Sequence, residues 1–278
     1  MNTPKPLIGG LVAALLGSLP VHGAEPDPAA KAPDATTAEF EKFRNIMEED
    51  NPAELFAARG EDIWKNKKGP KGETMASCDL GMGPGVVKGA YAAMPRYFAD
   101  VDQVMDAERR IVWCMVKLLG YSDEDVRKKP FGDDKTTPDP VAVVTYVAFQ
   151  SEDLPMAVPQ AHPKEKEAYA IGKEIFSYRA GPYDFSCNSC HGEDGKRIRM
   201  QALPNLAKPE DAMRSVQGWP GYRMTGGVML TQQWRMNDCF RQQRFPEPKY
   251  LSDSITALLT YLTANANGQV YKGPGIKR

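Results

Sequence analysis

The chain has no excess of charge of either sign: 35 Lys and Arg stand against 36 Asp and Glu. Nothing therefore marks it for nucleic acid or for an anionic lipid surface. Beyond its first two dozen residues it has no apolar run long enough to span a bilayer, so no membrane span is expected in the mature form. It has one C-x-x-C motif and no second, which removes the paired-motif zinc cluster. Strand-like alternation is weak throughout. Its five cysteines are an odd number, so pairing does not consume them all unless one carries different chemistry.

What is present begins with an export signal. Lys5, the apolar run from Leu7 to Leu19 and the small-residue pattern Val21, Gly23, Ala24 read as a cleaved secretory signal over 1–24, too short for a transmembrane helix. The mature protein is expected in a compartment where disulfides persist, in a bacterium the periplasm. Residues 25–39, rich in Pro, Ala and Asp, read as a flexible leader. From about Phe40 the apolar spacing in "FEKFRNIM", "AERRIVWCMVKLLGY", "PVAVVTYVAF", "EKEAYAIGKEIF" and "SDSITALLTYLTANANG" suits helices separated by Pro- and Gly-rich loops. Ser252 and Asp253 are set to cap the last helix and Gly268 to end it. The fold class expected is mainly α.

The strongest chemical signal is "CNSCHG", Cys187 to Gly192. C-x-x-C-H is the attachment pattern of c-type haem: Cys187 and Cys190 form thioethers with the porphyrin and His191 is held beneath the iron. A dithiol redox pair or half a zinc site leaves His191 unexplained. Upstream, Gly172 and Phe176 on an amphipathic helix are placed to pack against "ITALLTYL". The stretch from Ala161 to Gly268 resembles the cytochrome c family, whose members usually supply a methionine as second axial ligand. Met200, Met213, Met224, Met229 and Met236 are available, and as a common packing residue most methionines fill cores. Cys239 is the sharper candidate: it lies about fifty residues after the attachment site, a thiolate is a strong ligand for ferric haem, and Arg235, Arg241 and Arg244 offer a basic neighbourhood. A disulfide from Cys239 to Cys78 or Cys114 is the alternative. His162, beside Pro163 at a helix start, reads as a surface residue.

The two halves of the chain look like repeats. With Gly60 set on Gly172, Trp64 falls on Phe176, Gly69 and Pro70 on Gly181 and Pro182, and Cys78 on Cys190, without a gap. Met75 stands where Cys187 stands, and Asp79 where His191 stands, so the first copy lacks a haem site. Arg110 precedes Cys114 by four residues as Arg235 precedes Cys239, and "VVTYV" resembles "LLTYL". The expectation is two tandem cytochrome c-like domains related by duplication: 40–155 without haem, 156–268 with one covalently bound c-type haem, then a C-terminal tail at 269–278. Cys78 and Cys114 then occupy positions that face each other across a haem pocket, and without haem they can close into a disulfide, which leaves Cys239 free.

Two cytochrome c-like domains, the arginine four residues before a distal cysteine, the run "CFRQQRFPEP" and the "LTYLTANANG" near the end together resemble SoxA, the larger subunit of a bacterial sulfur-oxidising cytochrome, over about Phe40 to Gly268. Many members keep two haems; Met75 and Asp79 make this chain resemble the single-haem type. The resemblance implies an L-cysteine S-thiosulfotransferase. Such an enzyme works with a monohaem SoxX subunit and joins thiosulfate to a cysteine of a SoxYZ carrier, and its electrons leave to a downstream cytochrome c. It also implies roles: His191 and Cys239 as axial ligands, Cys239 as the sulfur-handling group, and Arg235 as the binder of the anionic substrate. A paired-donor guanidinium suits a sulfonate-like oxyanion, and cysteine is the side chain that accepts and passes on sulfur. The rival functions are a plain methionine-ligated electron carrier and a thiosulfate dehydrogenase that forms tetrathionate.

Overall fold

The computed structural model describes residues 50–277 except Asp134, Arg199 and Met200, together with Glu39, Lys42 and Ile46. The signal, the leader up to residue 38, most of the "FEKFRNIM" helix and Met200 lie outside the described residues. Residues 43–278 make up one compact unit, whose described helices are α1 (Ala53–Lys65), α2 (Ala107–Lys117), α3 (Asp123–Lys128), α4 (Asp139–Phe149), α5 (Pro163–Ser177), α6 (Cys187–His191), α7 (Pro209–Val216), α8 (Gln232–Gln242) and α9 (Asp253–Ala264). Short strands pair into three small sheets. Two are antiparallel hairpins, β1 (Arg96–Phe98) with β2 (Gln103–Met105) and β3 (Arg197–Ile198) with β4 (Gln201–Ala202). In the third, β5 (Gly221–Arg223) lies between β6 (Val228–Leu230) and β7 (Gly275–Lys277), parallel to β7.

Caps fix where the helices start. The Ser252 side chain accepts from the Ile255 amide ahead of α9, and the helical stretch is left behind by Gly268, whose φ is +84°, a region glycine enters without steric cost. At the head of α5, Pro163 sits at the first helical position and His162 and Glu165 form a capping box. His162 is therefore more than a surface residue: its ring accepts from the Lys164 amide and stacks on Tyr97 with centroids 3.7 Å apart.

The same helix contact occurs twice. A Cβ placed on Gly172 of α5 would lie 2.0 Å from the Ala257 carbonyl oxygen and 2.9 Å from Tyr261 Cβ on α9. One placed on Gly60 of α1 would lie 2.0 Å from the Ala142 carbonyl oxygen and 2.9 Å from Tyr146 Cβ on α4. At both crossings only a hydrogen lets the helices approach this closely. Phe176 meets Tyr261 with centroids 5.2 Å apart, and Trp64 meets Tyr146 at 6.4 Å. These are the positions that the internal alignment superposes.

In the first half, Cys78 and Cys114 are bonded to each other, both fully buried. Around them lie Met75 and Leu80, also fully buried. Arg110 fills the remaining space, its guanidinium 4.2 Å from the Phe98 ring centroid and 4.3 Å from that of Trp113. It donates to the Asp79 carbonyl oxygen at 2.8 Å and pairs with Asp100 at 2.9 Å. This region is packed with protein. The disulfide closes a loop 36 residues long, so replacing both cysteines by alanine should lower stability by about 3 to 4 kcal/mol, measured by denaturant unfolding.

The C-terminal segment departs from expectation. Of residues 269–278, read as a tail, the described 269–277 close the fold: β7 joins the three-stranded sheet, and Tyr271 is fully buried, its hydroxyl donating to the Trp219 carbonyl oxygen at 2.7 Å. The core also crosses between the halves, since Met213, Val216 and Tyr271 cluster with Tyr91, Ala142 and Met156.

Candidate functional site

The C-x-x-C-H residues form α6, a single turn started by a Ser186 cap that accepts from the Ser189 amide. His191 Nδ1 lies 3.0 Å from the Pro204 carbonyl oxygen. A carbonyl only accepts, so Nδ1 carries the proton and Nε2 keeps its lone pair free for a metal. Burial holds the His191 pKa below the ordinary imidazole value, with the Arg235 charge adding to the effect and the Pro204 contact opposing it. The ring is the neutral form that ligates iron.

Cys187 lines an open cleft of about 300 Å³ between α5 and the segment after α8, walled by Ile171, Ile175, Tyr178, Phe240 and Phe245. Burial pushes the Cys187 thiol up to about 12, and the Cys239 and Cys190 thiols add to it. A largely apolar cleft that the free thiol of Cys187 lines, with the free thiol of Cys190 and the His191 imidazole on the same turn, fits a thioether-bound haem. Cys187, Cys190 and His191 are the residues that would hold it.

α8 brings the remaining residues to this place. Thr231 caps it, accepting from the Trp234 amide at 3.2 Å. One side, Gln233, Trp234, Asn237 and Asp238, is buried; Arg235, Met236, Cys239 and Phe240 are half-exposed. The i, i+4 spacing puts Arg235 and Cys239 one above the other, and both act electrostatically on α6: Arg235 on His191, and Cys239 on Cys187. Cys239 has no disulfide partner.

One expectation is corrected here. The arginines do not make Cys239 a ready thiolate: burial raises its pKa, and although Arg235 opposes this, Asp238 adds to it. Asp238, missed by the sequence reading, takes Arg235 Nη1 at 2.9 Å, Arg241 Nη2 at 2.6 Å and Gln242 Nε2 at 2.7 Å, so two of the three cations are already paired. Its i±3 spacing to both arginines was the available signal. Of the methionines, Met213 and Met229 are buried in cores away from this cleft and Met224 is exposed. Met236 packs against the cluster of Phe176, Leu206, Leu258, Tyr261 and Leu262, as Cys187 and Phe240 do. Cys78, Cys114 and Arg110 belong to the other half and are not brought to the site.

A chain of Hydrogenophilus thermoluteolus described as L-cysteine S-thiosulfotransferase subunit SoxA is 45% identical over 260 residues, 93% of each chain. This chain belongs to the SoxA family. A SoxA of Hydrogenobacter thermophilus is 35% identical over 227 residues, covering 81% of this chain and 83% of that one. Among solved structures, the crystal structure of SoxXA from P. pantotrophus matches with a TM-score of 0.69 and 28% identity, over 85% of this chain and 84% of that one. The fold of this SoxA chain is accordingly mainly helical and cytochrome c-like. The family model "SoxA/TsdA, cytochrome c domain" matches residues 59–156, the half that carries the Cys78–Cys114 disulfide and has no C-x-x-C-H. A cytochrome c domain implies a covalently bound c-type haem, and the C-x-x-C-H motif of this chain stands in the other half, at Cys187, Cys190 and His191. No described helix is long and apolar enough to cross a membrane.

Proposed function

We propose that this chain is the catalytic subunit of an L-cysteine S-thiosulfotransferase. It joins the outer sulfur of thiosulfate to the thiol sulfur of a cysteine on a SoxYZ-type carrier. One S–S bond forms, the carrier's S–H bond breaks, its proton goes to solvent and two electrons leave. Cys187 and Cys190 would hold one haem covalently, His191 and Cys239 would ligate its iron, and when bound this haem would take the two electrons one at a time and pass them on. A SoxX-type monohaem cytochrome is the expected partner subunit and a downstream cytochrome c the electron sink. The site of action is the periplasm, reached through a signal over 1–24. The first half is a duplicated cytochrome c-like domain whose haem region was filled by Arg110 and the disulfide, a reading supported by the paired Gly60 and Gly172 crossings.

The placement of Arg235 and Cys239 on one stripe of α8, directed at the C-x-x-C-H turn, carries this reading. Arg235 offers two parallel N–H donors to the sulfonate end of thiosulfate, which leaves the outer sulfur toward Cys239. Asp238 holds that guanidinium in place from its other side. Cys239 would first form an S–S bond to the outer sulfur of thiosulfate, giving up its proton and the two electrons; the carrier thiolate then attacks that outer sulfur, the bond to Cys239 breaks and Cys239 leaves as thiolate. Replacing Arg235 by alanine should raise the thiosulfate KM about 10- to 100-fold, equivalent to about 1.5 to 3 kcal/mol of charge-assisted hydrogen bonding. Lysine, which keeps the charge and loses the fork, should fall between the two. An unchanged KM in both variants, by steady-state kinetics, would remove Arg235 from the site.

Met236 favours one second reading, an electron carrier with methionine on the iron, because it packs against the same cluster as Cys187, one turn from Cys239. Ferric-state electron paramagnetic resonance separates the two, since thiolate and thioether ligands give distinct low-spin signals.

A further inference from the structure

The helix that carries Arg235 and Cys239 is anchored at its start by the half of the chain that has no haem motif. Glu108 of α2, buried at 2% exposure, accepts from the Gln232 amide at 2.7 Å and from the Gln233 amide at 3.1 Å. Asp106, the cap of α2, accepts from Gln233 Nε2 at 2.9 Å with each oxygen and from Thr256 Oγ1 of α9 at 2.7 Å. Gln233 Oε1 in turn accepts from the Leu251 amide at 2.9 Å. The first turn of α8 is thus tied to α2, to α9 and to the loop before α9 through one fully buried glutamine.

Neither acid has an ion-pair partner among the described residues, so what offsets the burial of the Glu108 carboxyl is the positive end of α8 and its two free amides. Burial and the nearby Asp106 push Glu108 well above the usual carboxyl range, and the two amides together with the Thr231 hydroxyl act against this. The contact is rigid because withdrawing it leaves buried donors and a buried acceptor unpaired together. Cys239 lies seven residues beyond Gln232, about 10 Å along the helix axis. A small tilt of the first turn therefore moves its sulfur by an amount that matters, since a ligand set tolerates only about 0.5 Å of displacement.

We infer that Glu108 is a positioning residue for the sulfur-transfer site: by fixing the first turn of α8 it keeps Cys239 and Arg235 directed at the C-x-x-C-H turn. The inference rests on the reading of Cys239 as an iron ligand. It gives the haem-free half a task in the reaction beyond support of the fold.

The test uses the haem-loaded protein with Glu108→Ala and Glu108→Gln. In Glu108→Ala, amide hydrogen exchange should quicken at least 10-fold along α8 from Gln232 to Cys239, and more than half of the thiolate low-spin ferric signal should be lost while covalent haem content stays whole. Glu108→Gln keeps one acceptor oxygen, 2.7 Å from the Gln232 amide and 3.4 Å from that of Gln233, and should restore both readouts in large part. If Glu108→Ala quickens exchange only at Gln232 and Gln233 and keeps the wild-type ferric signal, the inference is overturned and Glu108 is a helix cap. Should Glu108→Ala not accumulate, Glu108→Asp, which draws the acceptor back by one methylene, carries the same two readouts with a smaller expected shift, and no shift overturns the inference. A wild-type protein without a thiolate signal would sink the ligand reading instead, and the exchange of α8 would still decide what Glu108 does.

Discussion

Replacing Cys239 by serine should abolish thiosulfate coupling, with turnover falling at least about 1,000-fold, a loss of about 4 kcal/mol in transition-state stabilisation. The reason lies in the atom. A serine oxygen cannot accept sulfur and pass it on, and it is a poor ligand for ferric iron beside the thiolate it replaces. Cys239 sits two turns from the start of α8, where it acts electrostatically on Cys187 of α6, with no disulfide partner. Serine is nearly isosteric there, so the fold and the haem attachment at Cys187 and Cys190 should be intact, as judged by mass and by thermal unfolding. The ferric low-spin signal should change at the same time as turnover. A plain electron carrier predicts the opposite pattern: Cys239→Ser would keep its spectrum and its electron transfer, and Met236→Leu would lose both. Parallel measurements on the two variants decide between an enzyme and a carrier.

Gly172→Ala should be the most damaging conservative change to stability, costing about 3 kcal/mol through overpacking. The added methyl would meet a carbonyl oxygen of α9 at 2.0 Å, and backbone does not swing aside as a long side chain does. For a chain of this size that corresponds to a fall of roughly 6 to 12 °C in Tm. Gly60→Ala should cost a similar amount, because the two crossings have the same distances on both contacting residues. The comparison bears on the duplication. If the two halves descend from one domain, the paired glycines should fail alike. A cost below about 0.5 kcal/mol at Gly172 would mean that α5 and α9 do not cross there.

How much of this was legible in the sequence follows from which residues carry each element. α5 and α9 show in the sequence because their buried faces are apolar and their caps are standard residue types, His162 being the exception that only the structure reveals as a cap. The C-x-x-C-H turn shows because its chemistry needs those residues at that spacing. α8 does not show as a helix: its buried side is Gln232, Gln233, Trp234, Asn237 and Asp238, polar but for the one tryptophan, so no apolar period marks it, and its partners outside the helix are hydrogen-bonding groups 11 to 127 residues away. The pairing of Arg235 and Arg241 with Asp238 was local and could have been read from spacing. It was missed because the arginines were counted as free charge. β7 pairs with a strand some fifty residues earlier through backbone alone, and nothing in "GIK" announces that.

The central claim is that Cys239 is the free, sulfur-handling cysteine of a site built on α6 and α8. Peptide-level mass spectrometry without reduction, on protein purified from its native compartment, addresses it directly through the tryptic fragment Met236 to Arg241. The account predicts that Cys239 is found free or carrying added sulfur while Cys78 and Cys114 are recovered linked to each other. Recovery of Cys239 bonded to Cys78 or Cys114 would contradict it, because a cysteine so bonded is neither an iron ligand nor a sulfur acceptor.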